Sequence, residues 1–414
     1  MVNPKFIDSV GYIPEDWKTP CLADICTKGG IVRGPFGGAL KKEIFVSEGY
    51  KVYEQGNAIN QTVEYGRYFV DEDKYREMIR FSVDAGDFII SCSGTIGKIF
   101  QIPTKHPKGI INQALLKLKT NDKVVSDQYF YHYFSWETFN RRVIDDTQGG
   151  AMKNLVGMKE FKKTSLAIPP TLDEQQSIAT ALSDIDELIA NLEKLIEKKK
   201  AIKQGTMQAL LTGEKRLPGF SGEWKEHIIG KCGYLQKGSI NPQTEPEKYF
   251  AEYSMPAFDS TQTPAKVQGK TMHSNRTVIS GKVLLFNKLN VRQKRIWLVE
   301  SCETNAVCSA EFLPYTSDVI DLKLLSQILF TDKVTNEFIG MSTGSSNSQK
   351  RITPKAFLDY SLFLPTEIEE QKALADVFND MDNEIIQLET QLEKYRLLKQ
   401  GMMQKLLTGE IRLV

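Results

Sequence analysis

The stretch QGTMQALLTGEKRL, Gln204–Leu217, returns 196 residues later, nearly unchanged, as QGMMQKLLTGEIRL, Gln400–Leu413. Repeats are worth finding before motifs, because a missed repeat misreads the whole fold. Upstream of both stretches, Ile178/Leu374, Leu182/Phe378, Ile185/Met381, Ile189/Ile385, Leu192/Leu388 and Ile196/Leu392 pair at the same offset. The two copies therefore run from about 168 to 217 and from about 364 to 413. Within each copy the apolar positions step 4, 3, 4, 3, 4, a heptad seam held for about three heptads.

Each copy also carries helix punctuation. Thr171 with Glu174, and Thr366 with Glu369, read as capping boxes behind prolines that end the preceding structure. Leu-Leu-Thr-Gly at 210–213 and 406–409 supplies a glycine stop. The spacing predicts two helices of about 40 residues, each about 60 Å long. Gly205 and Gly401 fall inside them, which predicts a kink or a close backbone approach. A seam this narrow must be buried against something. The other copy is the economical partner, as an antiparallel intramolecular pair; an intermolecular coiled coil is the alternative.

The chain has 414 residues, enough for two or three domains, with 41% apolar and 25% charged side chains, as in ordinary folded proteins. The segments 1–165 and 219–361 are rich in glycine, aromatics and short apolar runs such as Asp87–Ser91 and Val283–Phe286, which read as short strands mixed with helix. They echo each other weakly, as in Gly86–Ile90 against Gly281–Leu285. The expected fold class is α+β: two globular mixed α/β domains, 1–165 and 219–361, joined by two long antiparallel helices in 166–218 and 362–414.

Several function classes drop out. No apolar run is long enough to span a bilayer, and the first ten residues lack a signal-peptide core, so a cytoplasmic protein is expected. Six cysteines at 21, 26, 92, 232, 302 and 308 have loose spacings with no histidine beside them, which reads as free thiols and not as a zinc site. Gly269-Lys270-Thr271 resembles the end of a P-loop, but Pro264 stands where its first glycine belongs. Pro169-Pro170 lies between Ile168 and Thr171 and makes no Asn/Asp-Pro-Pro-aromatic methyltransferase loop. No G-x-G-x-x-G follows a strand, and no H-E-x-x-H occurs. Asp145-Asp146 reads as a solvated turn. The residues argue against an intrinsic enzyme and for no metal or cofactor in this chain.

In this order, the elements resemble those of the DNA-specificity subunits of type I restriction–modification systems, over essentially the whole chain. The resemblance rests on the duplicated helix entries (Ile168–Gln176, Leu364–Gln371), the duplicated tail, and Ser91-Cys92-Ser93-Gly94-Thr95-Ile96-Gly97-Lys98. Gly11–Trp17, Arg33–Gly38 and Ile110–Leu115 add to it. It implies double-stranded DNA as ligand, each domain reading half of a bipartite target, with the paired helices fixing the spacer. It further implies two methyltransferase partner subunits and, optionally, two DNA-translocating endonuclease subunits, in a bacterial or archaeal host. S-adenosylmethionine, and ATP with Mg, would belong to those partners. The second domain departs from the pattern, having Phe286-Asn287-Lys288-Leu289-Asn290 where the first has Ser-Gly-Thr-Ile-Gly. A structural coiled-coil adaptor binding proteins through its two globular domains is the alternative reading.

Base reading wants Arg or Lys towards guanine and Asn or Gln towards adenine, while phosphate holding wants cations, hydroxyls or bare backbone. In the first domain the candidates are Arg33, Lys41 and Lys42 around a Gly-Pro-Phe-Gly-Gly loop, and the cluster Tyr53, Gln55, Asn57, Asn60 and Gln61. Ser93, Thr95 and Lys98 of the matched motif, Asn112 and Gln113, and Lys153 and Asn154 complete that set. In the second domain they are Lys288, Asn290, Arg292, Lys294 and Arg295, then Ser346, Asn347, Gln349, Lys350 and Arg351. The Lys198–Lys200 run reads as facing solvent or a partner. A net charge of +1 looks wrong for a DNA binder, but it hides a division. Segments 1–165 and 219–361 are each +3, while the helical segments are −1 and −4. Near-neutrality thus argues only against a DNA binder that works alone.

Overall fold

The computed structural model describes residues 4–7, 11–145, 154–344 and 349–413. The chain forms two compact units, residues 1–193 with 390–414, and residues 194–389. Two unbroken 40-residue helices, Leu172–Leu211 and Ile368–Leu407, run through both. Each unit therefore combines one globular domain with the front half of one long helix and the back half of the other.

In the first unit a four-stranded antiparallel sheet has the order Cys26–Arg33, Leu115–Thr120, Phe88–Ser91, Ile99–Gln101. Strand alternation sends Phe88 and Ile90 to one face and Ile89 to the other. Phe88 and Ile90 join Phe130, Tyr133, Phe134, Phe139 and Phe161 in the main core, which also takes Ile178 and Leu182 from the first long helix and Met403, Leu406 and Leu407 from the second. Ile89 packs with Tyr53, Ile102, Ile111 and Leu115 beneath a smaller sheet, in which Tyr50–Tyr53 runs parallel to Gly109–Ile111.

The second unit repeats the plan on a different sequence. Its four-stranded sheet has the order Gly233–Leu235, Phe312–Ser317, Val283–Asn287, Ile296–Val299. Leu284 and Phe286 face a core that takes Met207 and Leu210 from the first long helix and Leu374 and Phe378 from the second. Val283 and Leu285 face a second core with Tyr253, Trp297 and Phe312. A mixed five-stranded sheet again holds one parallel pair, Tyr249–Tyr253 with Ala306–Ser309.

The helix pairing is antiparallel and intramolecular within each unit. In the first, Glu193 meets Arg396 at 2.6 Å and Asp186 meets Lys399, so one number rises as the other falls. In the second, Lys199 meets Glu384 at 2.6 Å and Lys203 meets Asp382. Of the seam positions, Ile178, Leu182, Ile185, Leu192, Ile196, Leu374, Phe378, Ile385 and Leu392 are buried, while Ile189, Met381 and Leu388 are half-buried. Lys199 and Lys200 reach across the pair to Glu384 and Glu389, which corrects their reading as purely outward charges.

Two punctuation readings change. Gly213 and Gly409 take φ of +74° and +72° just past the helix ends, as the glycine stop requires. Gly205 and Gly401 produce no close approach: a Cβ on either would meet nothing within 4 Å, and the helices continue through them. The first capping box is half made. Thr171 Oγ1 accepts from the Glu174 amide at 3.2 Å, but the Glu174 carboxylate turns away to Arg412. The second box does not form, because Thr366 donates its amide to Glu223 in a strand pairing and Glu367 holds the position equivalent to Thr171.

The turned-away carboxylates make a duplicated clasp. Arg412 grips Glu174 and also Asp16, its guanidinium 5.9 Å from the Trp17 ring. At the matching place in the second unit, Arg216 grips Glu370 at 3.0 and 2.6 Å beside Trp224, whose indole N–H donates to the same carboxylate. The repeated Arg of each tail thus locks onto the repeated Glu that opens the other long helix.

Candidate nucleic-acid interface

In the first unit four chain segments cross at one end of the sheets. Arg33 and Ser91 end their strands where Leu115 begins its own, and Tyr53 ends its strand opposite Ile111. Backbone bonds tie the connections together: Gly34 N–H to Leu115 at 2.9 Å, Cys92 N–H to Ala114 at 2.8 Å, and Asn112 N–H to Tyr53 at 2.9 Å. Gly34 is required here, since a Cβ would lie 1.9 Å from the Asn112 carbonyl oxygen. The Arg33 guanidinium lies beside Cys92 and works against the burial that pushes that thiol up to about 12. The topology thus gathers Arg33, Gln55, Ser93, Thr95, Asn112 and Gln113, which the sequence scatters over some eighty positions.

The 92–98 loop is held from both sides. Ser91 Oγ accepts from the Lys98 amide at 3.0 Å, and Gly94 and Gly97 take positive φ. Asn140 donates to the Gly97 carbonyl at 2.9 Å. Thr95 and Lys98 are exposed on this frame and Ser93 is half-buried. Gln55 lies beside Gly94, its Oε1 buried without a hydrogen-bond partner. Lys41 and Lys42 are exposed.

Four members of the expected base-reading cluster are otherwise engaged. Tyr53 is buried, with its hydroxyl donating to Pro107 at 2.7 Å. Asn57 is buried and bonds Glu54, Thr62 and Tyr65. Asn60 donates to Gly56, and Gln61 ties Ala58 to Ile99. Their polar types fit base edges, but Asn57, Asn60 and Gln61 bond the ends of a short helix, Gln55–Ile59, and Tyr53 bonds Pro107. Asn112 also spends its Oδ1 on the Ala114 amide. Lys153, Ser346, Asn347 and the side chain of Asn154 lie outside the described residues.

In the second unit the two expected segments meet. Leu289 bridges Arg351, and the Asn290 amide donates to Lys350 at 2.8 Å. The connection between Asn287 and Ile296 bends sharply, with Asn290 and Lys294 both left-handed at φ 50° and 48°. Two of its cations, and Arg351 of the facing segment, are committed internally. Lys294 meets Asp332 at 2.6 Å, Arg295 meets Asp259 at 2.7 Å, and Arg351 meets Glu311 at 3.0 Å. The hydrogen bonds from Lys294 and Arg295 hold the Asp332 and Asp259 carboxyls below their ordinary range. This corrects the expectation that all these cations are free for phosphate. Lys288, Arg292 and Lys350 have no ion-pair partner among the described residues; Arg292 and Gln349 are exposed.

Asn140, Asp259, Glu311 and Asp332 were not expected at the site. Each lies 36 to 43 residues from the group it holds, and an isolated polar residue carries no signal of such a partner. Asn287 also escaped: it is 3% exposed, with both ends of its amide unpaired, beside Val291, Lys294 and Thr335 in a small pocket.

Residues 14–204 match the family model described as the type I restriction modification DNA specificity domain. Residues 14–204 thus form a domain of this DNA-specificity family, and over nearly its whole length the chain is similar to proteins named type I restriction enzyme specificity subunits. It is 24% identical to the type I restriction enzyme MjaVIII specificity subunit of Methanocaldococcus jannaschii, over 97% of this chain and 94% of that one. It is 22% identical to the putative MjaX specificity subunit of the same organism, over 97% and 95%. The S subunit of the type I system of M. genitalium has the same fold, with a TM-score of 0.56 at 14% identity over 98% of this chain and 99% of that one. The HsdS subunit of Thermoanaerobacter tengcongensis follows with a TM-score of 0.50 at 14% identity, over 96% and 98%. Among the described residues no helix is long and apolar enough to cross a membrane.

Proposed function

We propose that this chain reads a bipartite sequence in double-stranded DNA, one half-site per unit, for a type I restriction–modification complex in the cytoplasm of a bacterium or archaeon. The supporting observation is that two units of one topology each gather polar loops at the same end of the four-stranded sheet, from unlike sequences. Arg33, Gln55, Thr95, Lys98 and Gln113 would serve the first half-site, with Lys41 and Lys42 on phosphate. Lys288, Arg292, Gln349 and Lys350 would serve the second. The antiparallel helices set the spacer and dock two methyltransferase subunits, with two endonuclease subunits where the system has them. S-adenosylmethionine, ATP and Mg act on those partners.

The grip is shared with the partners. Seven cations of these loops (Arg33, Lys41, Lys42, Lys98, Lys288, Arg292 and Lys350) have no acidic partner among the described residues. If all seven neutralise phosphate, log affinity falls against log salt with a slope of about −6. To test the reading, the full chain with its methyltransferase subunits is used to select from a random duplex library. One bipartite sequence with a fixed gap is expected, and adding about four residues to both long helices should change the gap and spare the half-sites. Equal retention of scrambled duplexes would leave only the adaptor reading.

A further inference from the structure

Phe36 is the most exposed large apolar side chain among the described residues, at 83%. That exposure is built and not slack. On one side the Gly34 amide is bonded to Leu115, a Cβ at Gly34 has no room against Asn112, and Pro35 is buried. On the other side Gly37–Leu40 forms a 3-10 turn, and Ala39 and Leu40 pack on the cluster of Val52, Val70, Met78 and Ile110. The ring is pinned fore and aft and held out in water.

Its neighbours say what covers it. Within six residues lie Arg33, Lys41 and Lys42, the two lysines exposed and without acidic partners among the described residues. Gly34 joins its loop to Asn112 and hence to the polar end of the sheet. An aromatic ring on a loop that carries three cations within six residues suits stacking on bases between two phosphate backbones. The matching turn in the second unit, after Gly233–Leu235, is Gln236-Lys237-Gly238 and offers no aromatic.

We infer that Phe36 is a stacking wedge that enters the duplex between base pairs at the first half-site, with Lys41 and Lys42 on the flanking phosphates. The inference rests on the DNA-reading function proposed above. Apolar wedges of this kind partly unstack a step and bend the duplex. The wedge would thus distort the first half-site.

The test uses the full chain with its methyltransferase subunits and the duplex selected above. Phe36→Ala should weaken binding about tenfold or more, the usual loss for one base–aromatic stack. Phe36→Trp should bind as the parent does, with its indole fluorescence quenched by the duplex. An abasic site stepped through the first half-site should tighten binding at one position, where the step is already open, and Phe36→Ala should lose that gain. If the parent complex selects no duplex, the DNA-reading function fails and the wedge with it. If the parent selects a duplex but Phe36→Ala keeps its affinity and abasic profile, the wedge alone is overturned. Loss of methyltransferase assembly with unchanged DNA binding overturns it as well, making Phe36 a protein contact.

Discussion

Replacing Arg412 by Met tests whether the clasp at the end of the chain holds the first unit together. Glu174 is 2% exposed, and Arg412 supplies its two charge-assisted hydrogen bonds, one of 2.8 Å. Arg412→Met keeps the aliphatic stem against Trp17 but leaves a buried carboxylate without its partner. Stranding a buried charge in this way costs roughly 3–5 kcal/mol. Glu174 lies in the first turn of a long helix, whose free N–H groups return up to about 1 kcal/mol, so the expected loss is about 3 kcal/mol. For a unit of this size each 1 kcal/mol lowers Tm by about 2–4 °C, giving a fall of about 6–12 °C. Scanning calorimetry should show the transition of the first unit falling while that of the second stays. Arg216→Met should do the reverse through Glu370. Pairing Arg412→Met with Glu174→Gln removes the stranded charge and should recover at least half the loss, a coupling that a double-mutant cycle measures. A single mutant with unchanged Tm, or a double mutant that loses the sum of both changes, refutes the reasoning.

Burial lowers the His132 imidazole to about 4, with the Asp186 carboxylate opposing that shift and Lys399 aiding it. The unfolded chain therefore binds more protons between pH 6.5 and 4, and the first unit should lose roughly 3 kcal/mol as pH falls through that window. His132→Gln should flatten that loss in urea titrations at pH 7 and pH 4.5; an unchanged pH dependence places the titration elsewhere. Gly205→Ala and Gly401→Ala meet open space inside helices, so each should raise stability by roughly 0.5–1 kcal/mol in denaturant unfolding. A loss would reveal a contact that a Cβ blocks. Arg292→Ala should lower the salt slope of DNA binding by about 1. Arg295→Ala, whose charge is already held by Asp259, should leave the slope unchanged; equal effects in a salt titration would erase the distinction.

What the sequence disclosed follows from periodicity. The two long helices, their antiparallel pairing and the glycine stops were legible because a heptad repeats the same demand many times, and one offset of 196 ties the copies together. The strands Phe88–Ser91 and Val283–Asn287 were legible for a similar reason, as short apolar runs closed by turn residues. The site was legible by segment and not by residue. Asn57 and Gln55 are two positions apart with the same chemistry, yet one is buried and fully bonded while the other keeps an unbonded carbonyl oxygen, with its amide nitrogen near Gly94. The direction of a single side chain at a short helix depends on the neighbouring loop, and no local pattern encodes it. The same limit hid the acids opposite Lys294, Arg295 and Arg351.

Those acids bear on how specificity can change without loss of fold. In the second unit Lys294 and Arg295 fasten the 288–295 connection to Asp332 and Asp259, while Glu311 holds Arg351 of the facing segment. Arg292 alone of the four cations in that connection is exposed and unpaired among the described residues. The first unit fastens its equivalent connection with neutral groups instead, Ser91 and Asn140, and leaves Thr95 and Lys98 outside. One topology thus supports two unrelated ways of bracing the same loop, each leaving a few side chains outside the brace. Those free side chains cost little stability to replace, while the buried clasp and seam cannot vary in that way. This explains physically why the tails repeat almost letter for letter, QGTMQALLTGEKRL and QGMMQKLLTGEIRL, while the loops between them do not.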